Sequence, residues 1–172
     1  MKMTHLDIID KSFTRAPKSF IIQSLLAVAV LAIILYFVEV VTHAAIVAAL
    51  GSSAFIVFAM PKSTAAQAKR LIGGHIVGLL CGTVCYYAFI SGPVGKMVAN
   101  WEFAALFIYA FAVGLSIFLM VITNTEHPPA AGTALGIVAH PWSYQVVIFI
   151  LLSVIGLALV RGLLGSHLRD LV

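Results

Sequence analysis

Apolar runs of bilayer length recur along this chain and leave little choice of architecture. Residues 20–41, 71–90 and 103–122 are almost unbroken hydrocarbon, and residues 146–160 form the core of another such run. About 20 helical residues are what a hydrocarbon layer of roughly 30 Å requires. Lipid offers the backbone no hydrogen-bond partners, so an open chain crosses it as helix. Of 172 residues, 62% are hydrophobic and only 9% charged. That is too little charge to cover the surface of a soluble domain of this length. The chain is expected to be a polytopic helical membrane protein with one domain.

The same numbers weigh against other classes. The net charge of +4 comes from basic residues in short polar segments, which is a mark of membrane topology rather than of nucleic-acid binding. Cys81 and Cys85 lie one helical turn apart in an apolar run, a poor geometry for a disulfide, so two buried thiols are expected. No spacing of histidine, cysteine and carboxylate suggests a metal, and no cofactor is expected. The polar lead of about 19 residues is long for a cleaved signal sequence.

Two further elements are apolar but interrupted. Residues 42–60 carry Gly51-Ser52-Ser53 and end at Pro61. Residues 123–143 hold an acid, an imidazole and small polar groups between membrane segments, and ionisable groups in such a place point to function. A proline pushes the residue before it out of helical dihedrals, so His127 is expected to end the preceding helix. Proline is tolerated in a first helical turn, so a short helix is expected to start at Pro128 and run to Ala139. Pro128 and Pro129 lack N–H groups, which leaves the amides of Ala130 and Ala131 as the first free donors, aimed at Glu126 and His127.

The distribution of lysine and arginine argues for topology. If all six elements cross, nine of the ten basic residues fall on the amino-terminal side and only Lys96 on the other. If the two interrupted elements re-enter instead, the split is seven to three. The crossing arrangement is preferred, with both termini cytoplasmic in a cell inner membrane. It needs a short helix of about 18 Å and about 16 Å of extended chain over residues 123–127. The expected fold is all-α: six hydrophobic elements in two inverted three-element repeats, each with a broken or half-length middle helix. Residues 1–19 form a polar basic lead, 20–160 the membrane domain (repeats 20–90 and 103–160), and 161–172 a cytoplasmic tail. Inverted repeats are common in transporters. Gly74, Gly78 and Gly82 let helices approach closely, which places residues 71–90 inside the bundle and makes a homo-oligomer, most simply a dimer, the expected assembly.

Three stretches together resemble a known family. Glu126-His127-Pro128-Pro129-Ala130-Ala131-Gly132-Thr133-Ala134-Leu135, Ala49-Leu50-Gly51-Ser52-Ser53-Ala54 and Arg70-Leu71-Ile72-Gly73-Gly74-His75 are similar to the characteristic motifs of the HPP integral membrane proteins, in the same order. The resemblance runs from about Phe20 to Val160. It implies transport, with nitrite among the solutes linked to the family, and it implies four spans where hydropathy counts six elements. Some members carry a soluble regulatory domain, and none is expected here.

The candidate substrate-binding residues are Gly51, Ser52, Ser53, His75, Asn124, Glu126, His127, Pro128, Pro129, Ala130, Ala131, Gly132 and Thr133. Hydroxyls and helix amino ends attract anions, and a histidine near neutrality can carry a proton. His127 with Glu126 is the leading pair, against a plain capping role for His127. Gly51-Ser52-Ser53, Gly132 and Thr133 could equally be packing residues, and His75 an ordinary interhelical hydrogen bond. His43 lies near an interface, and His5, His140 and His167 at the surface. The leading reading is a transporter or channel for a small inorganic anion, nitrite being the solute that the resemblance brings, with proton linkage through His127. The alternatives are an intramembrane enzyme acting on a lipid or quinone, with His127 and Glu126 as acid and base, and a non-transporting subunit of a larger complex.

Overall fold

A computed structural model describes residues 17–19, 21–23, 25–26, 44–98 and 102–171. The described residues are helical with connecting turns and contain no strand. Helix α1 is Ala44–Ala59, α2 is Ala68–Cys85, α3 is Pro93–Val98, α4 is Glu102–Ile122, α5 is Pro129–Val138 and α6 is Tyr144–Leu164. Helix α2 continues as a π-helical turn over Tyr86–Ile90. With that turn included, three helices are long and apolar enough to cross a membrane: Ala68–Ile90, Ala104–Ile122 and Tyr144–Leu164. Helices α1 and α5 are apolar but shorter. Most of the expected first span (20–41), Glu39, His43, Trp101 and nearly all of the amino-terminal lead lie outside the described residues.

Three expectations need correction. Gly51-Ser52-Ser53 does not break its element, because α1 runs unbroken for 16 residues. The Ser53 Oγ lies 2.9 Å from the Ala49 carbonyl oxygen, within reach of the back-bond that small polar residues can make inside helices. The polar loop expected over residues 61–70 is also shorter. A 3₁₀ turn at Thr64–Ala66 leads straight into α2, so Lys69 and Arg70 sit in a helical first turn. Third, the stretch after α4 is mostly not extended. Asn124 adopts φ 54°, which Asn tolerates better than most residues. Thr125 N–H bonds Met120 O at 2.9 Å and Asn124 N–H bonds Val121 O at 3.3 Å. These two bonds form a Schellman cap. Only residues 125–127 are free of helix and turn; fully extended they would add about 10 Å, and the 10 residues of α5 supply about 15 Å. The total falls short of the 34 Å expected for residues 123–139. The two middle elements therefore differ in build.

Contacts give the helix directions. Gly74, Gly78 and Gly82 of α2 meet His127, Ala130 and Ala134 in that order, so α2 and α5 run parallel. Gly132 meets Ala45 and Ala49 while Ser53 meets His127, so α1 runs antiparallel to α5. Ile46 and Leu50 cluster with Val146 and Ile150, and Val57 and Phe58 with Leu157 and Ala158, so α1 and α6 run parallel. The half-length α5 lies at the centre, packed on α1, α2 and α4, with buried residues around its circumference. It is built of small residues, PAAGTALGIV, which is what lets three helices close on it.

The directions sort the connections into two ends. At one end, the carboxy-terminal segment folds back rather than trailing as a free tail. Leu171 N–H bonds Ala59 O at 2.8 Å, Lys62 N–H bonds Asp170 Oδ1 at 3.0 Å, and Arg161 Nη2 bonds Pro61 O at 3.1 Å. Buried Gln23 donates to Phe58 O and to Arg169 O, and its Oε1 accepts from Arg169 N–H at 3.1 Å. At the other end Trp142 bonds Thr83 Oγ1 at 3.1 Å and lies against the Tyr87 ring. Aromatic side chains of this kind collect at membrane interfaces.

Candidate functional site

Four polar side chains that the sequence places far apart meet at the crossing of α1, α2 and α5. Ser53 Oγ lies 2.9 Å from His75 Nε2 and 2.9 Å from His127 Nε2. His75 Nδ1 lies 2.8 Å from Thr133 Oγ1. His127 Nδ1 donates to the Ala65 carbonyl at 2.9 Å. All four side-chain groups belong to fully buried residues, each at 0% exposure. A polar group buried in an apolar bundle without a partner costs on the order of 1–3 kcal/mol, and here each finds one.

Local sequence explains the meeting. Glycines on α2 remove the side chains that would hold α5 away. A Cβ at Gly74 would lie 2.7 Å from His127 Cβ, and one at Gly78 would overlap the Ala130 carbonyl oxygen. The Pro128-Pro129 pair starts α5 just after His127, with Pro128 as the residue before the helix. His127 is thereby held between the end of the Schellman loop and the helix start. Its ring centroid is 5.2 Å from that of His75.

Other predicted residues separate from this core. Gly51 and Ser52 face away from Ser53 and line an open groove of about 790 Å³ with Pro128, Pro129 and Phe55. Glu126, His127, Pro128 and Ala131 line a second recess of about 250 Å³ against Ile117, Met120 and Val121 of α4. Gly132 packs against Ala49, whose Cβ would be 3.2 Å from a Cβ placed there. The amides of Ala130 and Ala131 are not free: they bond His127 O at 2.9 Å and Pro128 O at 3.2 Å. A tight turn across the prolines uses the donors that were expected to point at a ligand.

Glu126 and Asn124 belong to another cluster. Arg70 forms an ion pair with the Glu126 carboxylate and donates to Asn124 Oδ1 at 2.5 Å. The Arg70 and Glu126 side chains are 20% and 39% exposed, so water screens the pair. Glu126 is thus engaged with Arg70, while His127 is engaged with Ser53 and Ala65. Arg70 was not singled out from sequence, nor was Ala65. The signal for Arg70 was its place at the last polar position before an apolar run that holds Gly73-Gly74-His75. A backbone carbonyl such as that of Ala65 leaves no mark in a sequence.

Among the described residues no group of three histidine, cysteine or carboxylate side chains could hold a metal ion. Cys81 and Cys85 are buried and free. The core thus offers imidazole and hydroxyl groups, with no carboxylate bonded to them among the described residues.

Comparison with known proteins gives a family match and two relatives. The family described as "HPP, transmembrane region" matches residues 13–170. A Dictyostelium discoideum protein described as a transmembrane protein is 40% identical over 90 residues, which covers 52% of this chain and 28% of that protein. Another from the same organism, also described as a transmembrane protein, is 32% identical over 115 residues, covering 66% of this chain and 34% of that one. The chain thus spans about a third of the length of these curated relatives. No solved structure matches.

Proposed function

The chain belongs to the HPP family of transmembrane proteins, and from that premise we propose that it is a transporter or channel for a small inorganic anion, with nitrite as the first solute to test. One observation carries the reading. Two imidazoles and two hydroxyls from α1, α2, α5 and the loop before α5 converge in an otherwise apolar bundle, with a recess on either side of Pro128. Ionisable groups buried in a membrane bundle mark solute or proton pathways. A core of donors without a carboxylate suits an anion better than a cation, because an anion needs N–H and O–H groups to replace its water. The core is closed, so passage requires the α1–α5 crossing to open. The small residues there, Ala45, Ala49 and Gly132, make that a smooth contact.

The reading includes proton linkage at His127, whose charge would offset that of the anion, so flux rises as pH falls. It also includes an inner-membrane location, both termini cytoplasmic, and a dimer. The basic residues Lys62, Lys69, Arg70, Arg161 and Arg169 gather at the end opposite Lys96, which supports that orientation. Flux of nitrite into proteoliposomes tests the function. Uptake above that of protein-free vesicles, lost in Ser53→Ala, is expected, and uptake unchanged by that substitution overturns the assignment of the site. Sided labelling of Gln67→Cys and Ser91→Cys, in a background without Cys81 and Cys85, tests the orientation. The two positions are expected on opposite sides.

A further inference from the structure

The hydrogens at this core can be counted. A hydroxyl has one hydrogen, and a neutral imidazole has one N–H and one bare nitrogen. The Ala65 carbonyl only accepts, so His127 Nδ1 carries a hydrogen. In the neutral ring His127 Nε2 is then bare and accepts from Ser53 Oγ. That uses the single hydrogen of Ser53. His75 Nε2, bound to the same oxygen, must therefore donate. His75 Nδ1 is left bare and accepts from the Thr133 hydroxyl. The neutral core is a one-way chain of donors from Thr133 through His75, Ser53 and His127 to Ala65. Its two histidines are opposite tautomers.

One contact is left over. The Ala49 carbonyl lies 2.9 Å from Ser53 Oγ, and in the neutral chain the serine hydrogen points elsewhere. It becomes useful when His127 gains a proton at Nε2. The Ser53 hydrogen then turns to Ala49 O, and the Ser53 oxygen accepts from both imidazoles. Every donor and acceptor is matched again, and the one bond formed is N–H. His75 has no such provision. A proton on its Nδ1 would displace the hydrogen of Thr133, whose hydroxyl has no other partner among the described residues.

We propose that this core is a binding site for one proton, held on His127 with the Ser53 hydroxyl as the switch, and that the proton travels with one monovalent anion. The groups around His127 agree. Helix α2 presents neutral His75, α1 presents Ser53, and α4 presents Ile117, Met120 and Val121. The neighbouring carboxylate, Glu126, is held by Arg70. The charged core therefore has no built-in counter-ion, and a buried charge without one is strongly disfavoured. An anion supplies it, and the pair crosses as a neutral unit. This deepens the transport reading and rests on it for the anion, while the proton site can be tested without any solute.

The test uses the full chain with ¹⁵N-labelled histidine in lipid bilayers, its ring signals assigned by loss in His75→Asn and His127→Asn. Near neutral pH, His127 is expected as the Nδ1–H tautomer and His75 as the Nε2–H tautomer. On acidification only His127 should become doubly protonated. Like tautomers, or protonation of His75 first or together with His127, overturn the proposal. Ser53→Ala should abolish the opposed tautomers and Ser53→Thr should keep them; the reverse also overturns it. In proteoliposomes containing a pH dye, one proton should enter per nitrite above the protein-free rate, and a different ratio overturns the coupling. Opposed tautomers without nitrite flux would leave the proton site standing and remove the solute reading. Nitrite flux with like tautomers would do the opposite.

Discussion

Helices α4 and α5 lie side by side and are held by different physics. Helix α4 is 21 residues long and, after Glu102, almost entirely apolar. Among its described side chains it buries Ala112, Ser116 and Met120 and leaves Leu106, Phe107, Phe111, Ile117, Phe118, Val121 and Ile122 exposed. Helix α5 has 10 residues, most of them small, and is enclosed by three neighbours. The more hydrophobic helix is the less engaged one. The difference shows that in lipid, hydrophobicity places a helix in the bilayer but does not choose its neighbours. Close approach and interhelical hydrogen bonds do that.

The glycines sharpen the comparison most. Gly78 and Gly82 of α2 face α5 backbone: a Cβ at Gly78 would overlap the Ala130 carbonyl oxygen, and one at Gly82 would lie 2.7 Å from the Ala134 oxygen. Carbonyls of a packed helix cannot swing aside as a side chain tip can. Gly78→Ala is therefore expected to destabilise the bundle by about 3 kcal/mol, the upper end of typical overpacking costs, read as a lower unfolding midpoint in detergent.

Next come the two adjacent serines of α1. Ser53→Ala leaves both Nε2 atoms of the core without their shared hydroxyl, and about 1–3 kcal/mol should be lost. Ser52→Ala touches only the open groove and should stay within about 0.5 kcal/mol. Equal effects in the same unfolding measurement would break the distinction between core and groove.

A smaller effect is expected from the ion pair at the edge of this seam. Arg70→Ala should cost at most about 1 kcal/mol, and less in high salt, because the pair is partly exposed. A salt-independent loss would mean that Arg70 holds the loop by packing instead.

The smallest effect belongs to the outer helices. Nothing lies within 4 Å of a Cβ built at Gly114 on α4 or Gly156 on α6. Alanine at either site should be neutral, or stabilising by up to about 1 kcal/mol through helix propensity. A clear loss would show that a partner covers these faces.

Much of this protein was written in its sequence. The membrane class, the bounds of α1, α2, α4, α5 and α6 to within a few residues, the interior place of α2 and the gathering of polar groups near His127 all follow from run length, proline positions and glycine spacing, whereas the short helix α3 does not. These are local properties, and local physics sets them. The rotation of each helix about its axis is not local. Ser52 and Ser53 are neighbours in the chain but stand about 100° apart around a helix of 3.6 residues per turn, and only packing against α2 and α5 decided which one met the imidazoles. The same holds for Glu126, drawn to Arg70 rather than His127, and for the amides of Ala130 and Ala131, turned back on the chain. A sequence shows which groups need partners inside a membrane. The tertiary structure chose the partners, because each choice depends on a second helix arriving at the right depth and angle.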